Sequence, residues 1–265
     1  MDTALKQVPF KERVYLEHFF RQQIASSQLG YPIFFANKSA ALTIVEVRRC
    51  SSYYPYTVAG KGWQAWKKYE HLFPHPNFIF CEEKQRESNY FHLIVVNKQN
   101  LRKVLIENED LFKEVLDEHY IKLFKQPFSP DLFIAKLEKM KRLEPLIWGD
   151  CALYGLIYGF GRESSVNCRR YRKESFPKDG SWERIPAIKK EMVIHGKNGK
   201  TYVKGFGIHP VAWSGDPESE EVQKLATIYE EQCIALRRMF RRKSCLKPVL
   251  EALCSTDENM ANPEL

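Results

Sequence analysis

The order in which strand-like and helix-like runs follow one another constrains this chain more than any other feature. Strict alternation would predict a doubly wound parallel sheet, and it does not occur. β-prone runs come early, helical spacing dominates the middle, and a hairpin signal comes late. The expectation is one α+β domain over residues 1–254, followed by a frayed tail at 255–265. Within it, a few antiparallel strands or hairpins pack with several helices, and the C-terminal half is helix-rich.

Pro9 suits a first helical turn, and Leu16, Phe19, Phe20 and Ile24 recur at helical spacing. A helix is therefore expected from Pro9 to about Ser27, with Gly30 as its C-terminal cap. Tyr31–Phe35 and Ala41–Val47 flank Ala36-Asn37-Lys38-Ser39 and read as a hairpin. Trp63, Trp66 and Tyr69 stand three apart, predicting a short helix between Gly62 and Leu72 that ends at Pro74-His75-Pro76. An aromatic stripe at that spacing reads as core in preference to a recognition groove. Phe78–Cys81 and Tyr90–Val96 are two further strands.

Helices are expected over 100–125 and from Pro130 to Leu143, the second with Ser129 as N-cap. A compact aromatic segment, Ile147–Tyr158, is stopped by Gly159-Phe160-Gly161 and leads to a basic helix, Glu163–Lys173. Residues 177–186 read as loop. Asn198-Gly199 marks a hairpin turn between Glu191–Ile194 and Tyr202–Val203. The last long helix runs from Pro217 or Ser219 to about Arg242, and Pro248 permits a short one after it.

Hydrophobic residues make up 44% and charged residues 28%, the balance of a globular chain rather than a disordered one. No apolar run reaches the roughly 18–20 residues that span a bilayer, and the first twenty residues lack a signal-peptide pattern. The seven cysteines are odd in number and form no CxxC pair, which argues against a disulfide framework and against zinc. A reducing, cytoplasmic setting follows as the expectation. No sequence motif calls for a metal or a cofactor.

Lys and Arg total 41 against 33 Asp and Glu, a formal charge of +8. Part of the excess is clustered. Arg169, Arg170 and Arg172 follow Arg162, and Arg237, Arg238, Arg241 and Arg242 crowd the end of the last long helix. These two clusters support nucleic-acid binding through phosphate contacts, against the plainer reading of solvated helix ends. Neither carries the signature of an RRM or a KH module.

One constellation supports thiol chemistry. Cys151 follows Trp148-Gly149-Asp150 at a helix start, His209 in Gly205-Phe206-Gly207-Ile208-His209-Pro210 is an available base, and Asp216 an orienter. Order and spacing are similar to those of papain-like and ovarian-tumour-type thiol hydrolases. The neighbours of Gly149-Asp150-Cys151 depart from the ovarian-tumour motif, and Pro210 interrupts a strand that should go on pairing. The competing reading is a buried structural cysteine.

Three stretches carry a broader resemblance. Phe19-Phe20 leads to Gly30-Tyr31 and Phe35; Tyr154–Gly161 is followed by Arg162 and Glu163; Pro210 leads to Asp216-Pro217 and Glu220–Tyr229. Together they resemble an uncharacterised family of proteins from chlamydia-like and other intracellular bacteria. That family has no assigned activity, so the resemblance implies a bacterial protein and carries over no site residue. The leading expectation is a non-catalytic role with a protein partner. The alternatives are a thiol hydrolase built on Cys151 and His209, and nucleic-acid binding through the basic helices.

Overall fold

The computed structural model describes residues 1–26, 28–46, 58–84, 90–174, 183–186, 193–195, 201–203, 211–241 and 243–256. Helices α1 (Asp2–Gln7), α2 (Phe10–Ser26) and α3 (Gly30–Phe34) lead into strand β1 (Ala40–Glu46). Helix α4 (Val58–Tyr69), extended by a single 3₁₀ turn at Glu70–Leu72, precedes β2 (Phe78–Lys84) and β3 (Tyr90–Asn97). Next come α5 (Lys98–Glu107), α6 (Glu109–Phe124), α7 (Pro130–Met140), α8 (Glu144–Ile147), α9 (Cys151–Ile157) and α10 (Arg162–Glu174). Short strands β4 (Glu183–Pro186), β5 (Val193–His195), β6 (Thr201–Val203) and β7 (Ala212–Gly215) are followed by α11 (Glu220–Phe240) and α12 (Leu246–Cys254). The class is α+β, as expected.

The central sheet has the order β1-β3-β2, with β3 antiparallel to both neighbours. Its two faces bury different residues. Ala41, Phe78, Leu93 and Val95 join one apolar core with residues of α2, α3, α4, α11 and α12. Ala40, Ile79, Cys81, Ile94 and Val96 join a second with α5 through α9. An antiparallel sheet wetted on one face alternates apolar and polar residues; here both faces are covered, so Leu93–Val96 is an unbroken apolar run. Two-stranded ribbons β4–β7 and β5–β6 stand apart from this sheet. No helix among the described residues is long and apolar enough to cross a membrane.

Several expectations are corrected. Tyr31–Phe34 is helical and wholly buried, so the expected first hairpin does not form, and β1 pairs with β3 instead. Gly30 opens α3 rather than capping α2, and Gln28 makes the break between them at φ 63°. The single helix expected over 100–125 is two. Asn108 separates them at φ −122° and ψ 26°, its Nδ2 donating to the Val104 carbonyl at 3.0 Å. Helix α7 stops at Met140, where Lys141 takes left-handed geometry. Within the expected loop 177–186, Glu183–Pro186 is a strand paired with β7. The segment Ile147–Tyr158 is the end of α8, a turn at 148–150, and α9. Ser129 caps α7 through its hydroxyl as anticipated, and of the two starts open for the last helix, Pro217 or Ser219, it is Ser219 whose hydroxyl caps α11. β5 and β6 pair antiparallel, while the Asn198-Gly199 turn, the 205–209 segment and 257–265 lie outside the described residues.

A recurring device orients the helices: a carboxylate from a distant element caps a helix start. The first turn of a helix leaves N–H groups without intrahelical acceptors, and its positive end favours an anion. Glu17 of α2 accepts the N–H groups of Cys245 and Leu246 and the Ser244 hydroxyl at α12. Glu83 of β2 accepts Leu143 and Glu144, each at 2.8 Å. Glu221 of α11 accepts Arg162 and Glu163 of α10, while Glu163 receives the Ser219 hydroxyl in return.

Burial pushes the Glu17 carboxyl up, but the bonds from Ser244, Cys245, Leu246 and Arg21 outweigh it and hold the group below its usual range. Its contribution to stability is therefore present above the ordinary glutamate range and lost as the pH falls through the lowered value. Glu17→Gln should cost about 1–2 kcal/mol at neutral pH, read by urea titration, and the deficit should shrink on acidification. A deficit independent of pH would show that Glu17 packs rather than caps.

One buried amine stands out. Lys38, 1% exposed in the turn before β1, donates from Nζ to Gln28 Oε1 at 2.7 Å. Its amine lies 5.3 Å from the Phe160 ring centre and 6.0 Å from that of Tyr229. Among the described residues it has no carboxylate partner. Burial alone pushes the amine down to about 7.

Candidate functional site

Helix α4 offers the most developed surface. Its inward face places Trp63 and Trp66, 2% and 0% exposed, against α2 and β2. The outward face is left to Lys61, Gln64, Lys67 and Lys68. Burying two indoles fixes the helix rotationally, so the four polar side chains are presented as a set. A cleft lies on each side of this row.

The first cleft, about 400 Å³, runs between α2 and α4 and is lined by Lys11, Glu12, Tyr15, Lys61, Gln64 and Lys68. Lys68 Nζ stands 3.1 Å from Glu12 Oε1. The Lys61 amine lies 5.5 Å from the Tyr15 ring centre. Bonds to Tyr69 and Glu12 hold the Lys68 amine above its ordinary value.

The second cleft, about 420 Å³, falls between α4, β2 and the end of α7. That volume lies within the range of ordinary ligand sites. Trp63 and Phe80 supply its apolar wall, with ring centres 6.0 Å apart. The Trp63 indole N–H donates to Glu82 Oε1 at 2.9 Å, and Lys67 Nζ stands 3.2 Å from the same oxygen. His75 Nδ1 is 2.9 Å from the Phe73 carbonyl, which can only accept, so Nδ1 is the donor of this bond.

Met140, Lys141 and Arg142 close the rim, all three exposed. Their position is set by two devices. The left-handed turn at Lys141 ends α7, its N–H bonded to the Leu137 carbonyl at 2.9 Å. Glu83 then grips Leu143 and Glu144, tying the segment to β2. The rim thus carries three cations against the two carboxylates of Glu70 and Glu82, and Glu82 is already engaged by Trp63 and Lys67.

The expected thiol site is only partly placed. Cys151 is the first residue of α9 and half-exposed, and Asp150 Oδ1 accepts the N–H groups of Ala152 and Leu153 at 2.9 and 3.1 Å. Asp216 Oδ1 accepts the Glu218 N–H at 2.9 Å, shaping the entry to α11. His209 lies outside the described residues.

Of the first basic cluster, Arg169 pairs with Glu114 at 2.9 Å and reaches Asp150 at 3.8 Å, and Arg162 grips Asp110. The Arg170 guanidinium stands 5.9 Å from the Tyr171 ring centre, and Arg172 is exposed. In the second cluster Arg237 is half-buried, Arg238 and Arg241 are exposed, and Arg242 lies outside the described residues. Among the described residues no three His, Cys, Asp or Glu side chains converge as metal ligands. The chain matches no protein-family model, no curated protein and no solved structure.

From sequence the Trp63, Trp66 and Tyr69 stripe reads as core, which leaves the cationic α4 surface unremarked. Its signal was present in Lys61-Gly62-Trp63-Gln64-Ala65-Trp66-Lys67-Lys68, where cations interleave with indoles. Lys141 and Arg142 could not be joined to it without knowing that α7 ends beside β2.

Proposed function

We propose that this protein is a non-catalytic binding protein whose α4 face takes an extended peptide segment of a partner, acidic and studded with apolar side chains. The second cleft carries the reading, because it joins an aromatic wall, Trp63 and Phe80, to a cationic rim, Lys67, Lys141 and Arg142. An apolar side chain fits the wall while neighbouring carboxylates meet the rim. The first cleft continues the same pattern across α4 with Lys11, Lys61 and Lys68. Glu12, Glu70 and Glu82 sit among these cations, and they disfavour a polyanion such as nucleic acid more than a peptide of spaced carboxylates.

The test is fluorescence anisotropy with a labelled Glu-Leu repeat peptide. Affinity should fall at least about tenfold between roughly 0.05 and 0.5 M salt, because the rim cations are exposed and screened. Combining Lys67→Glu with Lys141→Glu should abolish binding, while Arg238→Glu with Arg241→Glu leaves it unchanged. Tighter binding of a single-stranded oligonucleotide, lost in the Arg238 and Arg241 variant, would replace this reading with the nucleic-acid one. No binding of either probe overturns it.

A further inference from the structure

Two cysteines come to the same level where α9 and α10 fold back on each other across the turn 158–161. The helices touch at Gly155 and Ser165 so closely that a Cβ on Gly155 would fall 2.4 Å from Ser165 Oγ and 3.3 Å from its Cα. Cys151 stands four residues before Gly155 and Cys168 three after Ser165. Each spacing is one helical turn, so each cysteine shares the face of its contact residue, and the chain reversal brings both to the same level of the hairpin. The register is fixed by their neighbours, Arg169 Nη1 reaching Asp150 Oδ2 at 3.8 Å, and both cysteines are half-exposed.

The other described cysteines are differently placed. Cys81, Cys233 and Cys245 are buried, and Cys254 is on α12. Burial pushes the Cys81 and Cys233 thiols up to about 12 and 11. Thiols so held are poor nucleophiles.

We propose that Cys151 and Cys168 are a peroxide-responsive pair that closes to an intramolecular disulfide between α9 and α10. The Cys151 thiolate attacks one oxygen of hydrogen peroxide, breaking the O–O bond; the sulfur becomes a sulfenic acid, and the departing hydroxide takes a proton to leave as water. Cys168 sulfur then attacks Cys151 sulfur, the S–S bond forms, and the sulfenic hydroxyl leaves as a second water with the Cys168 proton. Two thiols lose two electrons and one peroxide is reduced to two waters. Burial and the adjacent Cys151 raise the Cys168 thiol, so Cys151 is the one that meets peroxide first.

The full reduced chain is treated with one equivalent of hydrogen peroxide, alkylated, and digested with trypsin without reductant. The expected product is a linked pair, Leu143–Arg162 with Glu163–Arg169, two mass units lighter than the sum of the reduced peptides and separated again by dithiothreitol. In Cys168→Ser the same treatment should leave Cys151 as a sulfenic acid that dimedone traps, with the melting temperature of the reduced protein unchanged. A merely structural contact would give no dimedone adduct. Full alkylation of both cysteines after peroxide, or linkage of either one to a different cysteine, overturns the proposal.

Discussion

Gly62→Ala is expected to unfold the protein or leave it severely destabilised. Gly62 is the point at which α4 meets α2, and its hydrogen occupies space that no side chain can share. A Cβ there would lie 2.3 Å from the Phe19 Cβ and 2.5 Å from the Tyr15 carbonyl oxygen. Both obstacles belong to α2 near its backbone, so no side-chain rotation relieves them and the helices must separate. Separation would uncover Phe19, Phe20, Trp63 and Trp66, four rings in mutual edge and tilted contact. Alanine is the better helix former by roughly 1 kcal/mol, which offsets only part of the overpacking cost. The net loss should be at least about 2–3 kcal/mol in urea titration, and any folded fraction should bind the Glu-Leu peptide more weakly because α4 has moved. Unchanged stability would mean that α2 and α4 stand farther apart than this contact allows.

Lys38→Met should act in the opposite direction. In the unfolded chain the amine is protonated at every pH below the ordinary lysine range, whereas burial keeps the folded amine neutral down to about 7. The unfolded state therefore binds more protons between these values, so the wild type loses stability as the pH falls through that window and loses no more below it. The cost near neutral pH is on the order of 5 kcal/mol by linkage. Methionine keeps the length of the side chain and its contact with Phe160 and Tyr229, but surrenders the bond to Gln28. With about 1–2 kcal/mol given back for that bond, a net gain of roughly 2–4 kcal/mol is expected at pH 7. The gain should shrink as the pH rises toward the ordinary lysine range. A variant that melts lower than wild type, by an amount independent of pH, would show that Lys38 is held charged in the fold.

Much of the architecture was legible where local pattern and burial agree. Phe78–Cys81 and Tyr90–Val96 read as strands because β-prone residues bounded by charged or turn segments have few alternatives, and both lie in the central sheet. Ser129-Pro130 and Ser219 announced helix starts that exist. Tyr31–Phe35 misled because its residues favour strands in isolation. In the fold Tyr31 packs edge-on against Tyr229 of α11, a contact invisible to local pattern, and burial decides for a helical turn.

The candidate surface was legible only in half. Trp63 and Trp66 at helical spacing read correctly as core, yet Trp63 also lines a cleft. The cationic rim depends on the end of α7 arriving beside β2, an arrangement made by the Glu83 carboxylate and not by neighbours in sequence. Likewise, reading Cys151 alone suggested a nucleophile in search of a histidine. In the fold Cys151 stands instead at the level of Cys168 on the neighbouring helix.

The Trp63 indole N–H resonance, followed as the Glu-Leu peptide is added, tests the α4 surface most directly. That proton is held on Glu82 beside Lys67, so a peptide seated in the second cleft must shift it. The indole of Trp213, bonded to Ser164 in the core, serves as the internal reference and should stay in place. A progressive, salt-sensitive shift of Trp63 alone is the expected result. A bound peptide that leaves Trp63 unmoved contradicts the assignment of the cleft.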